Sequence, residues 1–410
     1  MKLLPQKDTV FLKNLFLTTI LGGIIGILNY LFNIFVVKYT DKSVFSIFTA
    51  ALGIIYLVQI PATSIQSFLT KIVAKNDNSN LSKYRWTALK YLGGIGILLS
   101  LVFFLFKQEI STLASVPEDI VIYLAVTLFF SFVSPISKAF LLGEEKIVAV
   151  NLLLLLETIL KFAIGAVAIK MGGNIPLLIL ANSLPAILTT IVILPSLKPN
   201  NTGKSIETKF TELILITIFM LLLTVPYTID LVLVNESFRA EYGAISLLGK
   251  LVYFSCVMTA SVMFARVSNE NKSANKRKSL LISLTLAFCI GIVISLVYFL
   301  FTNLVISLTV GEQYISAGKY LGVFGLCMTG FAVVYMIANY FITQNVYGYI
   351  FVLLFVSILQ ILLFQFRNSS LNQVIQNQII VYSVLTISTV LILVYKFRKE
   401  IKNERERLKN

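Results

Sequence analysis

Apolar runs about twenty residues long recur from one end of this chain to the other, and they restrict it to one class of fold. A helical crossing of the bilayer core needs about 20 mostly apolar residues. Charged residues make up 13% of the 410 and mean hydropathy is +0.88. Soluble domains carry about 25% charged residues, so a water-facing globule is excluded. Runs such as 213–225 and 379–395 do not alternate with period two, as the strands of a membrane barrel would. The chain reads as an all-α polytopic membrane protein.

Twelve spans are expected, at 12–37, 44–70, 85–106, 120–142, 147–169, 176–197, 209–234, 242–267, 278–301, 318–343, 347–366 and 376–396. The net charge of +15 does not point to nucleic acid, because the basic residues follow the loops. Of the 34 Lys and Arg residues, 24 fall on the side of both termini and 7 on the other. The positive-inside rule then places both termini in the cytoplasm. The apolar run after Lys13 continues to Val37 without an A-x-A-like cleavage site, and is expected to be the first membrane helix.

Absences narrow the chemistry. The chain has no histidine, and Cys256, Cys289 and Cys327 all fall inside apolar spans. Imidazole relays, His-metal sites and a disulfide framework are therefore not expected, and neither is any cofactor. No phosphate-binding loop, dinucleotide turn or nucleophile elbow occurs.

The stretch Tyr227–Ser268 reads as two apolar helices joined by a polar turn at 235–241. A weaker copy lies 197 positions earlier, with Asn33 in place of Asp230 and Gly53 in place of Lys250. The segment 95–106, IGILLSLVFFLF, recurs as IGIVISLVYFLF at 290–301, with 9 of 12 positions identical. An even number of crossings separates the copies, so the halves are parallel repeats about an axis along the membrane normal. The expected organisation is two six-helix lobes, residues 1–200 and 201–396, followed by a charged cytoplasmic tail, 397–410.

Ionisable groups within apolar spans are costly and are treated as functional candidates. Asp230 and Lys250 are expected as a binding or gating pair; Asn29, Asn33, Gln59 and Gln66 supply polar groups on the matching first two spans. Glu157 and Lys161 are spaced i,i+4, so they share a face, and they are expected to pair with each other or with a polar group on a neighbouring helix. Lys138, near a span end, is expected to snorkel.

The stretch VFSIFTAALGIIYLVQIPATSIQSFLTKIVA (44–74), the D-x-x-L-V pattern at 230–234, EYGAISLLGKLVYF (241–254) and VMFARVS (262–268) resemble polysaccharide flippases of the multidrug/oligosaccharidyl-lipid/polysaccharide exporter superfamily. Relatives commonly carry proline in the segment matching 263–268, where this chain has Ala265 and Arg266. The resemblance implies two lobes around a central cavity lined by spans one, two, seven and eight, opening alternately to each side. It also implies polyprenyl-pyrophosphate-linked oligosaccharide as cargo, in the cytoplasmic membrane of a prokaryote, with H+ or Na+ as coupling ion and membrane lipid as the other partner.

Three rival readings remain open. A drug/cation antiporter of the same superfamily should hold acidic and aromatic cavity residues, whereas here a lysine accompanies the aspartate. Peptidoglycan-precursor flippases resemble the chain in architecture but carry arginines in the first two spans, and these spans have none. An oligosaccharide polymerase or ligase needs a substantial external catalytic loop, and 107–119 and 302–317 are short.

Overall fold

The computed structural model describes residues 6–75, 78–144, 146–193, 210–269, 273–344 and 346–407. The described elements are all helical. In order they are α1 (Gln6–Tyr39), α2 (Lys42–Val58), α3 (Ile60–Lys75), α4 (Asn78–Leu105), α5 (Lys107–Ala114), α6 (Glu118–Gly143), α7 (Ile147–Lys170) and α8 (Ile175–Ile193). Then follow α9 (Phe210–Leu233), α10 (Glu236–Asn269), α11 (Ser273–Leu300), α12 (Thr302–Thr309), α13 (Leu321–Thr343), α14 (Ile350–Phe366) and α15 (Leu371–Arg407). Short 3-10 segments precede α13 (Glu312–Tyr320) and α14 (Tyr347–Tyr349).

The twelve expected crossings each fall on one of these helices, with α2 and α3 sharing a crossing. Ten of them are long and apolar enough by themselves, and Ile175–Ile191 in α8 is a shorter apolar stretch. The twelfth, α10, has side chains outside the described set over 258–269.

Packing divides the chain into Met1–Met220 and Leu221–Asn410, a division that falls within α9. The expected lobe boundary near residue 200 lies outside the described residues. In the first unit α6 is central, packed on α3, α4 and α8; in the second α13 is central, packed on α10, α11 and α15.

Duplication is written into the backbone. α4 and α5 recur as α11 and α12 with every boundary displaced by 195 positions. The close approaches recur too. A Cβ placed on Gly96 would stand 3.0 Å from Phe132 Cβ on α6, and one on Gly291, 195 positions later, 2.4 Å from Thr329 on α13. Small residues let membrane helices approach closely, and each copy uses its glycine for the same contact. Gly291→Ala should therefore lower the thermal midpoint in detergent, by overpacking worth about 1–3 kcal/mol. Gly94→Ala, whose Cβ would meet nothing within 4 Å, should leave the midpoint unchanged or raise it.

Local chemistry sets the breaks. Pro61 cannot donate into the helix, and the chain steps at Gln59, where Ala62 N–H turns to the Gln59 carbonyl. Pro135, Pro185 and Pro226 are instead carried inside unbroken helices. α7 ends on Gly172 and Gly173, both at positive φ, and Asn174 then caps α8 by accepting from Leu177 N–H.

The turn expected at 235–241 is shorter than the sequence suggests. α9 ends at Leu233 and α10 already begins at Glu236. The reason is Arg239, which is 1% exposed and donates to the carbonyls of Val232 and Val234, closing the end of α9. With those carbonyls satisfied, the polar residues after Asn235 are free to start the next helix.

Candidate functional site

Within the second unit, polar groups gather where α9, α10, α14 and α15 meet. Asp230 is fully buried. Its Oδ2 accepts a hydrogen bond from the Tyr242 hydroxyl of α10. Gln378 on α15 donates to that same Tyr242 oxygen at 2.9 Å, and Gln360 on α14 donates to Gln378 at 3.2 Å. Gln360 and Tyr382 also both donate to the Pro226 carbonyl. The result is a continuous buried chain of hydrogen bonds from α9 through α10 and α15 to α14. Asp230 Oδ1 has no hydrogen-bond partner among the described residues.

Lys250 is 4% exposed, and its Nζ stands 4.6 Å from the centre of the Tyr227 ring. Tyr227 stacks on Phe331 at 5.3 Å and meets Tyr253 at 4.9 Å; Tyr253 in turn meets Tyr335 edge-on. An ammonium on a ring face in a dry site is stabilised by about 2 kcal/mol or more. The Asp230 and Lys250 groups adjoin one another, since Phe331 of the aromatic cluster meets Tyr382 at 5.6 Å and Tyr382 donates to the Pro226 carbonyl. The carboxylate takes its hydrogen bond from Tyr242 rather than from the lysine.

In the first unit the candidates divide differently. Asn29 on α1 donates to Thr158 at 3.2 Å and accepts from Lys161 Nζ at 3.2 Å. Asn33 donates to the Asn29 carbonyl. Lys161 also lies 4.5 Å over the Phe32 ring. Gln59 stands at the break between α2 and α3, and Gln66 is half-buried on α3.

The i,i+4 pairing of Glu157 with Lys161 does not form. Glu157 instead takes a 2.7 Å ion pair from Lys138 of α6 and a hydrogen bond from Thr189 of α8. Lys138 accordingly does not snorkel and is only 7% exposed. The physical reason is competition. Lys138 reaches the carboxylate across the α6–α7 contact at 2.7 Å, while Lys161 is drawn to Asn29 Oδ1 at 3.2 Å and to the Phe32 ring.

Tyr242, Gln360, Gln378, Tyr382 and Thr189 were not singled out from the sequence, and Lys138 was read only as a snorkelling residue. Gln360 carried a usable signal, a long amide in the middle of an apolar run. Tyr242 and Tyr382 carried none, since a tyrosine in a span does not announce a polar partner.

At the sequence level no family model and no curated protein matches the chain. Solved structures do. Lipid II flippase MurJ in an inward closed conformation is similar at 16% identity and TM-score 0.70, over 93% of this chain and 87% of that one. A multidrug resistance MATE transporter of the MOP superfamily, inward-facing, is similar at 14% identity and TM-score 0.71, over 93% and 96%. A MOP superfamily transporter from Pyrococcus furiosus, described as having a binding pocket of reverse polarity, is similar at 15% and 0.58, over 92% of each chain. The fold is that of MOP-superfamily transporters. In the neighbours with this MOP fold twelve membrane helices form two lobes, and these neighbours are transporters or flippases rather than enzymes.

Proposed function

We propose that the chain is an alternating-access flippase that moves a polyprenyl-pyrophosphate-linked oligosaccharide from the inner to the outer leaflet of a prokaryotic cytoplasmic membrane. The observation that carries this reading is the buried Lys250 on its aromatic support, because an ammonium buried inside a membrane span suits an anionic cargo and repels a cationic one. The polar side chains Asn29, Asn33, Gln59 and Gln66 on the first lobe suit a hydrated sugar head, while the prenyl tail stays in the bilayer. A neighbour that is a lipid II flippase is compatible with a cargo of this class.

Asp230 supplies the switch. With cargo absent its charge balances Lys250; a pyrophosphate drawn to the lysine replaces that interaction. A ligand biases two access states only through such a differential contact. H+ or Na+ is the coupling ion in this scheme. Asp230 is the carboxylate suited to carry it, since Glu157 is already neutralised by Lys138.

Export of organic cations is the second reading, favoured by the tyrosine cluster around Tyr253 and by the MATE neighbours. The two are separated in proteoliposomes containing the purified chain. A fluorescent polyprenyl-pyrophosphate oligosaccharide should become accessible to an external quencher faster than in protein-free vesicles. Unchanged quenching, together with gradient-driven uptake of an organic cation, would replace the flippase reading by the antiporter one.

A further inference from the structure

Among the described residues, the first unit places one more lysine than carboxylate deep inside its spans. Its inner ionisable groups are Lys138, Glu157 and Lys161, and the one carboxylate is taken by Lys138 at 2.7 Å. Lys161 has no carboxylate within ion-pair distance among the described residues. Its partners are one neutral oxygen, Asn29 Oδ1 at 3.2 Å, and the Phe32 ring face. An ammonium carries three donors, so two are left for something else.

The neighbourhood holds that ammonium in place. Asn29 is fixed by donating to the Ile25 carbonyl and to Thr158 Oγ1, which presents its Oδ1 to the lysine. Phe32 is clamped edge-on by Phe162 and packs on Gly165, where an added Cβ would come within 2.4 Å of the ring. A lysine that only needed to reach water would not require an oriented amide and a fixed ring.

Depth decides what can pair with it. Lys161 lies nine residues before the end of α7, about 14 Å along the helix from Lys170, and about 21 Å from Ile147. Headgroups of resident lipids stay at the faces of a core about 30 Å thick. An anion meeting Lys161 has to enter that core through the protein.

We infer that Lys161, held by Asn29 and Phe32, is a phosphate-binding site for the pyrophosphate of the cargo, separate from Lys250. This rests on the flippase reading. Asn29 acts as a positioning residue, setting the direction of the remaining two N–H donors.

The test is equilibrium binding to the full-length purified chain in detergent, with three probes: a long-chain polyprenyl pyrophosphate, the matching polyprenol and inorganic pyrophosphate. Lys161→Met should weaken polyprenyl pyrophosphate binding about tenfold to hundredfold and leave polyprenol binding unchanged. Lys161→Arg should stay within a few-fold of the parent, and Asn29→Ala should lie between. Inorganic pyrophosphate should compete in the parent and less so in Lys161→Met. If it alone binds while the prenyl form does not, the site serves a soluble anion and the inference is overturned. Parent-like affinity in a folded Lys161→Met overturns the inference and leaves the flippase reading standing. Should Lys161→Met fail to fold, a Lys161→Arg chain with parent-like competition supports the inference, and one with no phosphate selectivity overturns it. A parent chain that binds no polyprenyl pyrophosphate removes both.

Discussion

Lys250→Ala should abolish transbilayer movement of the lipid-linked oligosaccharide while the protein still expresses and folds. The lysine sits on the ring of Tyr227, inside a cluster of Tyr253, Phe331 and Tyr335 that packs without it. Truncation removes a charge but leaves those rings in contact. Lys250→Arg should keep partial activity, because the charge survives while the compact ammonium becomes a planar fork. Asp230→Asn should slow the cycle less, since Tyr242 can still donate to an amide oxygen. The measurement is quenching of labelled lipid-linked oligosaccharide in proteoliposomes at matched protein density. Normal flipping by Lys250→Ala would sink the cargo-binding role of this residue.

Breaking the Lys138–Glu157 pair should be the most damaging single change to stability. Both side chains are largely buried, at 9% and 12% exposure, and they tie α6 to α7, with Thr189 adding α8. Removal of one partner strands the other charge and should cost about 3–5 kcal/mol. Lys138→Met combined with Glu157→Leu should recover most of that loss, because replacing both members of a buried pair by apolar residues is often neutral. Thermal midpoints of the two single variants and the double variant in detergent give the comparison. A double variant as damaged as the sum of the singles would show that the two residues act through separate partners. A stable double variant that no longer flips cargo would instead assign the pair a part in transport.

Much of this arrangement could be read along the chain, and the limits of that reading are specific. The spans, the tandem repeat and the polar residues inside the spans were visible because hydrocarbon penalises every unpaired polar or charged group, so length and composition are constrained residue by residue. The repeat of 95–106 at 290–301 anticipated the coincidence of α4–α5 with α11–α12, boundary for boundary. The short α5 and α12 were read as loops, because eight residues carry too little periodicity to be distinguished from a polar turn. The start of α10 was misplaced by several residues, because the group that closes α9 is a side chain in the next helix.

Partnership was the part that sequence alone could not assign. Spacing left Glu157 free to pair with Lys161 or with a group on a neighbouring helix, and the carboxylate went to Lys138 on α6, nineteen residues away. Asp230 was visible as a buried acid, but not that Tyr242 would hold it, nor that Gln378 and Gln360 would extend the contact to α15 and α14. Burial of an apolar face depends on residue type and period, which are local properties. A hydrogen bond or ion pair depends on two atoms meeting within about 3 Å, and which atoms meet is settled only when the helices have packed.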